Sequence, residues 1–202
     1  MGSFHSPAVA RHSARLHSPL QGLVKQDGGL LRGGEMKEIP LTGGLVALID
    51  DGDFELVQGY GWYAAPSRRT VYARAVIRGV RPLRCVRLHR LILGVGLGIR
   101  VDHRNMNGLD CQRANLRIAT NGQNKANGEK YRTSRWGSHP TSPYKGVCWK
   151  RQRNKWYASI KGIKGTQFLG YFCSEVDAAL AYNKAATEIH GEFARLNEIV
   201  LA

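Results

Sequence analysis

Apolar residues along this chain recur in short alternating runs separated by turn formers, until one long helical run near the end. Residues 39–41 and 45–49 read as two strands joined at Gly43-Gly44. Capping acids and the apolar positions Phe54, Leu56 and Val57 predict a short helix within 50–60. Strand character returns at 62–64. Residues 71–77 and 83–88 alternate, with Arg78-Gly79 near the turn between them. A short helix is expected over 89–93, closed by Gly94. The apolar run 98–101 then ends in Asp102-His103, and a loop of turn formers follows: Asn105, Asn107, Gly108 and Asp110. Residues 116–119 alternate like a half-buried strand, and Thr120 caps a short helix that carries Asn124.

The C-terminal quarter repeats the pattern once more. A strand opens at 144–147, a second covers 155–161 and a third 166–171, with turns at Asn154 and 162–165. In the second strand Trp156, Ala158 and Ile160 fall on one face, and Lys155, Tyr157, Ser159 and Lys161 on the other. Ser174, with Asp177 three residues on, starts a long helix. Its alanines at 178, 179, 181, 185 and 186 let it lie close to a sheet, and Gly191 ends it.

Composition narrows the partners. The chain has 202 residues, 43% of them hydrophobic, which is enough for one or two small packed domains. Its formal net charge of +15 calls for a polyanion, of which nucleic acid is the commonest. No apolar run approaches the ~20 residues of a spanning helix, so a membrane is not the expected partner. Cys85, Cys111, Cys148 and Cys173 form no Cys-x-x-Cys pair; a disulfide scaffold or structural zinc is not expected, and a reducing interior is. Residues 1–35 are rich in Ser, His, Gly and Arg and read as a disordered extension, a transit peptide, or a start upstream of a natural Met36. Residues 129–142 read as a basic linker between a domain at 36–128 and one at 143–199. Arg74, Arg78, Arg81, Arg84, Arg87 and Arg90 make the first domain basic, and His89 is expected to pack or to support rather than to act.

The stretch 101–124 carries the chemistry. Asp102-His103, Asn115 and Asn124, in the order strand, loop, strand, helix, resemble the ββα-metal motif of HNH endonucleases, in particular the phage homing-endonuclease branch. The resemblance implies that His103 is the general base, Asn115 its orienting partner, and Asp102 and Asn124 the ligands of one divalent ion, most naturally Mg2+. The residue types suit those tasks. An imidazole titrates near pH 6.5 and is largely neutral at pH 7. An amide oxygen fixes a tautomer, and hard oxygens suit an ion that keeps several waters. Arg104, Met106 and Cys111 depart from the usual loop residues of that family.

A second resemblance covers about 142–197. Tyr144-Lys145-Gly146-Val147, Lys155-Trp156, Phe168-Leu169-Gly170-Tyr171-Phe172, Ala181-Tyr182 and Leu196-Asn197 are similar to the APETALA2/ERF-type DNA-binding domain. That family lays a three-stranded sheet in the major groove. The resemblance implies a reading face of Lys145, Lys150, Tyr157, Ser159, Lys161, Thr166 and Phe168. Several of these stand where the plant domains carry arginine or tryptophan, and Lys offers a point charge rather than a fork. Duplex binding therefore carries over better than sequence preference.

The expected fold class is α+β: a ββα-metal nuclease domain followed by a three-stranded antiparallel sheet on one helix. The expected function is hydrolysis of phosphodiester bonds in double-stranded DNA by an intracellular, monomeric, metal-dependent endonuclease. The rivals are an APETALA2/ERF-type transcription regulator with an inert nuclease domain, and a basic architectural protein.

Overall fold

In the computed structural model, which describes residues 35–77, 79, 84–130 and 140–199, the fold is mixed α+β, built from several small antiparallel sheets and a few helices. Strand β1 (Met36–Pro40) pairs with β2 (Val46–Asp50) in register Met36↔Asp50. The reversal uses Gly43 and Gly44 at φ +74° and +71°, a region that glycine enters at no steric cost. A single helical turn, α1 (Phe54–Val57), leads into the sheet β3 (Trp62–Pro66), β4 (Val71–Ile77) and β5 (Arg84–Arg87), in that spatial order. The strand expected over 83–88 ends at Arg87, because Leu88 begins α2 (Leu88–Ile92). Leu88 and Ile92, four apart, turn the same way and bury against Ile49, Val57, Trp62, Ala73 and Ala75.

Two short strands follow, β6 (Arg100–His103) and β7 (Leu116–Ala119), paired antiparallel with Asp102 opposite Arg117. Between them the loop is pinned to β2: the Leu48 N–H donates to the Leu109 carbonyl and the Cys111 N–H to the Leu48 carbonyl, both at 2.8 Å. Helix α3 (Asn121–Asn127) opens with a full capping box, Thr120 accepting from the Gln123 N–H and Gln123 accepting from the Thr120 N–H.

The last sheet runs β8 (Val147–Lys150), β9 (Lys155–Gly162), β10 (Gly165–Phe172), with β9 central. The expected strand start at Tyr144 moves to Val147 because Gly146 turns the chain at φ +79° beneath the Tyr182 ring, where no side chain fits. Helix α4 (Glu175–His190) covers the inner face, packing Ala178, Ala179, Tyr182, Ala185 and Ala186 on Val147, Ala158 and Ile160. Ser174 caps it by accepting from the Val176 and Asp177 N–H groups.

The described residues all fall within one compact unit. The contact between its halves is specific. Phe193 packs with Ala119 and Ala126 and lies 3.8 Å beneath the Arg117 guanidinium. Lys130 donates to the carbonyls of Ser142, Tyr144 and Val147. The expectations for residues 1–34, for the middle of the linker at 131–139, and for Arg78 and Arg81 lie outside the described residues.

Candidate functional site

A cleft of about 850 Å³ opens where β6, α2 and α3 meet, and it is lined by Asp102, His103, Asn124, Asn127, His89 and Tyr72. Its rim is basic: Arg68, Arg69, Arg87, Arg90 and Arg100 all face it. Three of the four motif residues, Asp102, His103 and Asn124, therefore share one cavity.

His103 closes β6 and is buried; its pKa is pushed down to about 4, mainly by burial, with Asp102 and Asp110 pulling the other way. His89, on α2, is equally buried and pushed down to about 3, first by burial and then by His103 and nearby arginines. The two rings meet edge-on with centroids 5.0 Å apart, and Tyr72 lies 5.4 Å from His89 and 5.8 Å from His103. Both imidazoles are neutral at pH 7 without help from a carboxylate. His89 Nδ1 and His103 Nε2 are buried with no hydrogen-bond partner.

Asp102 is not a free carboxylate. Its Oδ2 accepts from Arg117 Nε and Nη2, both at 2.8 Å, and Asn127 Nδ2 reaches both oxygens at 3.1 Å. Arg117 in turn donates to the Glu192 carbonyl at 2.6 Å, and Arg104 pairs with the Glu192 carboxylate at 2.7 Å. Asn115 holds the loop: its Oδ1 accepts from the Asn105 N–H and its Nδ2 donates to the Asp110 carbonyl. Both of these bonds go to the loop backbone, so Asn115 acts on the loop frame beside His103. Arg90 is tied to the carbonyls of Gly96 and Ile99, and so braces the cleft wall.

A second surface lies on β8–β10. Half-buried Tyr157 and exposed Phe168 and Tyr171 form an aromatic cluster with centroids 5.1–5.7 Å apart. Lys150 sits 5.0 Å over Tyr157 and Arg153 4.9 Å over Tyr171. Register puts Ser159 opposite Phe168 and Lys161 opposite Thr166, so these too share the outer face. Lys145 does not join them. Its ammonium is half-buried against the Ala126 and Gly128 carbonyls at the end of α3, and burial lowers its pKa to about 8.

Sequence reasoning missed Asn127, Arg117, Arg153 and the contribution of Tyr171. Arg117 was visible as a charged residue in an otherwise half-buried strand. Tyr171 was hidden by a bulge between Phe168 and Gly170, which reverses the alternation.

Compared with known protein families the chain matches no family model, and no solved structure matches it. Among the described residues no helix is long and apolar enough to cross a membrane.

Proposed function

We propose that the chain is a metal-dependent DNA endonuclease of the HNH class, with β6, β7 and α3 as its ββα-metal unit and the β8–β10 face as its duplex grip. One observation carries the reading: Asp102, His103 and Asn124 line a single cleft ringed by arginines. His103, neutral through burial, takes the proton of the attacking water. Arg68, Arg87 and Arg100 hold the backbone phosphates by charge. Asn115 fixes the loop that carries Asn105 and Asp110 beside the base.

A hard divalent ion fits the donors present. Oδ1 of Asp102 receives only the Asn127 amide, while Arg117 takes Oδ2, so one carboxylate oxygen is open to coordination alongside the Asn124 amide. Two protein oxygens and several waters suit Mg2+, which would relieve charge on the leaving oxygen. On the sheet, Tyr157, Phe168 and Tyr171 offer apolar contact to bases or sugars, and Lys150, Arg153 and Lys161 offer charge to phosphates.

A second reading, an APETALA2/ERF-type DNA-binding regulator with an inert nuclease domain, draws on the Arg117 clamp over Asp102. Supercoiled-plasmid nicking separates the two. The nuclease converts the plasmid with added Mg2+, and His103→Ala loses at least ~10²-fold in rate at nearly unchanged DNA affinity. Wild-type protein that binds the plasmid and leaves it supercoiled with Mg2+ would favour the regulator.

A further inference from the structure

Beneath the cleft floor the base His103 joins His89 and Cys111 in a cluster whose donor atoms the catalytic reading does not explain together. One ring nitrogen each from His89 and His103 and the Sγ of Cys111 all lie within 4.8 Å of one another. The three residues are buried, Cys111 completely, and come from three elements: α2, β6 and the loop anchored on β2. Two ring nitrogens at this place, His89 Nδ1 and His103 Nε2, have no hydrogen-bond partner, and the Cys111 sulfur has only backbone partners, the distant Gly108 carbonyl at 3.8 Å and the His89 main chain. Orphaned buried nitrogens are costly and rare, and one on each of two histidines that meet beside a buried thiol points to a missing occupant.

The donor set selects its chemistry. Two neutral imidazoles and a sulfur suit zinc or a neighbouring transition ion, whereas Mg2+ seeks oxygen. Zinc bonds of about 2.0–2.3 Å set tetrahedral donors roughly 3.3–3.8 Å apart. An inward rotation of about 1 Å therefore closes the cluster. His89 and His103 also line the cleft, so a water from it completes four ligands.

We propose that His89, His103 and Cys111 bind one soft divalent ion of zinc's class, separate from the hard-ion position at Asp102 and Asn124, and that filling this site holds the nuclease off. As the ion binds, the thiol S–H breaks, its proton passes to solvent, and the sulfur and two imidazole lone pairs form the bonds. An imidazole bound through one nitrogen carries its proton on the other, so His103 can no longer accept one from water. The inhibitory half rests on the nuclease reading; the binding half stands without it.

The test uses the full-length protein stripped with EDTA and titrated with Co2+. A thiolate-to-cobalt charge-transfer band at one ion per chain is expected, bleached by Zn2+. The band disappears in Cys111→Ser and persists when Cys85, Cys148 and Cys173 are all changed to Ser. His89→Gln, a second variant in case the first folds poorly, weakens Co2+ binding at least about tenfold. No band in the wild type, or a band that survives Cys111→Ser, overturns the site whether or not any variant cleaves DNA. In plasmid nicking at fixed Mg2+, the Zn2+ concentration that halves each protein's own rate is expected to rise at least about tenfold in Cys111→Ser relative to wild type. Equal sensitivity overturns the inhibitory half.

Discussion

At the residue scale, the ion pair between Asp102 and Arg117 ties the proposed site to stability. Both side chains are buried, at 5% and 7% exposure, so neither charge has water to fall back on. Arg117→Met would leave the Asp102 carboxylate with the Asn127 amide alone, and we expect a loss of about 3–5 kcal/mol in urea unfolding. Adding Asp102→Asn removes the stranded charge and should recover most of that loss; failure to recover would mean that Arg117 matters chiefly through Phe193 and Glu192. The paired histidines give a pH dependence with a definite sign. In the unfolded chain they titrate near 6.5, and in the folded one at about 3 for His89 and about 4 for His103. Between those values the unfolded state binds more protons, so stability is fully present above pH ~6.5 and is lost as pH falls towards 4. In EDTA, His89→Gln should flatten that slope by about 1.4 kcal/mol per pH unit, one proton's worth, and urea titrations from pH 4.5 to 7.5 read it directly.

At the element scale, local signals were legible wherever backbone geometry answered to a single residue. Thr120 and Ser174 cap the helices that the sequence assigns to them, and Gly43-Gly44 reverses the first hairpin. Thr120→Ala should therefore cost about 1 kcal/mol in thermal or urea unfolding, with the larger effect on activity because α3 carries Asn124. What was not legible depends on contacts distant in sequence. The partner of Asp102 is across the strand pair at Arg117, and the partner of Lys145 is the end of α3. No period or motif encodes those meetings. Gly108 shows the same limit: a Cβ there would sit 2.8 Å from the Tyr72 ring, so the loop lies against β4 only because residue 108 has no side chain. Gly108→Ala is expected to push the loop off β4 and to lower nicking more than it lowers DNA affinity, since the displaced element sits beside His103 rather than on the β8–β10 face.

At the scale of the whole molecule, charge splits into cations that hold the fold and cations left exposed, which the proposed function assigns to a polyanion. The net charge of +15 does not distinguish them, but burial and partners do. Lys130 and Lys145 spend their ammonium groups on backbone carbonyls between the two halves, and burial lowers the pKa of both. Lys150 and Lys161 stand exposed on the β8–β10 face. Each lysine that meets a phosphate releases counterions and adds about −0.9 to the slope of log affinity against log salt. The Lys150→Ala/Lys161→Ala pair should therefore flatten the slope by nearly two units, while Lys145→Ala should leave the slope where it is and lower the unfolding midpoint. The same division bears on truncation. A chain cut before residue 140 loses Phe193 from its seat against Ala119 and Ala126, Glu192 from Arg117 and Arg104, and the carbonyls that hold Lys130. It is expected to unfold at lower urea than the full chain, and to cleave weakly because Asp102 depends on Arg117 being held. Binding across a salt series, with unfolding measured on the same four proteins, decides the matter. A Lys145→Ala slope flatter than the full chain's by about 0.9 would mean that Lys145 leaves the end of α3 to meet DNA, and that the two halves separate on binding.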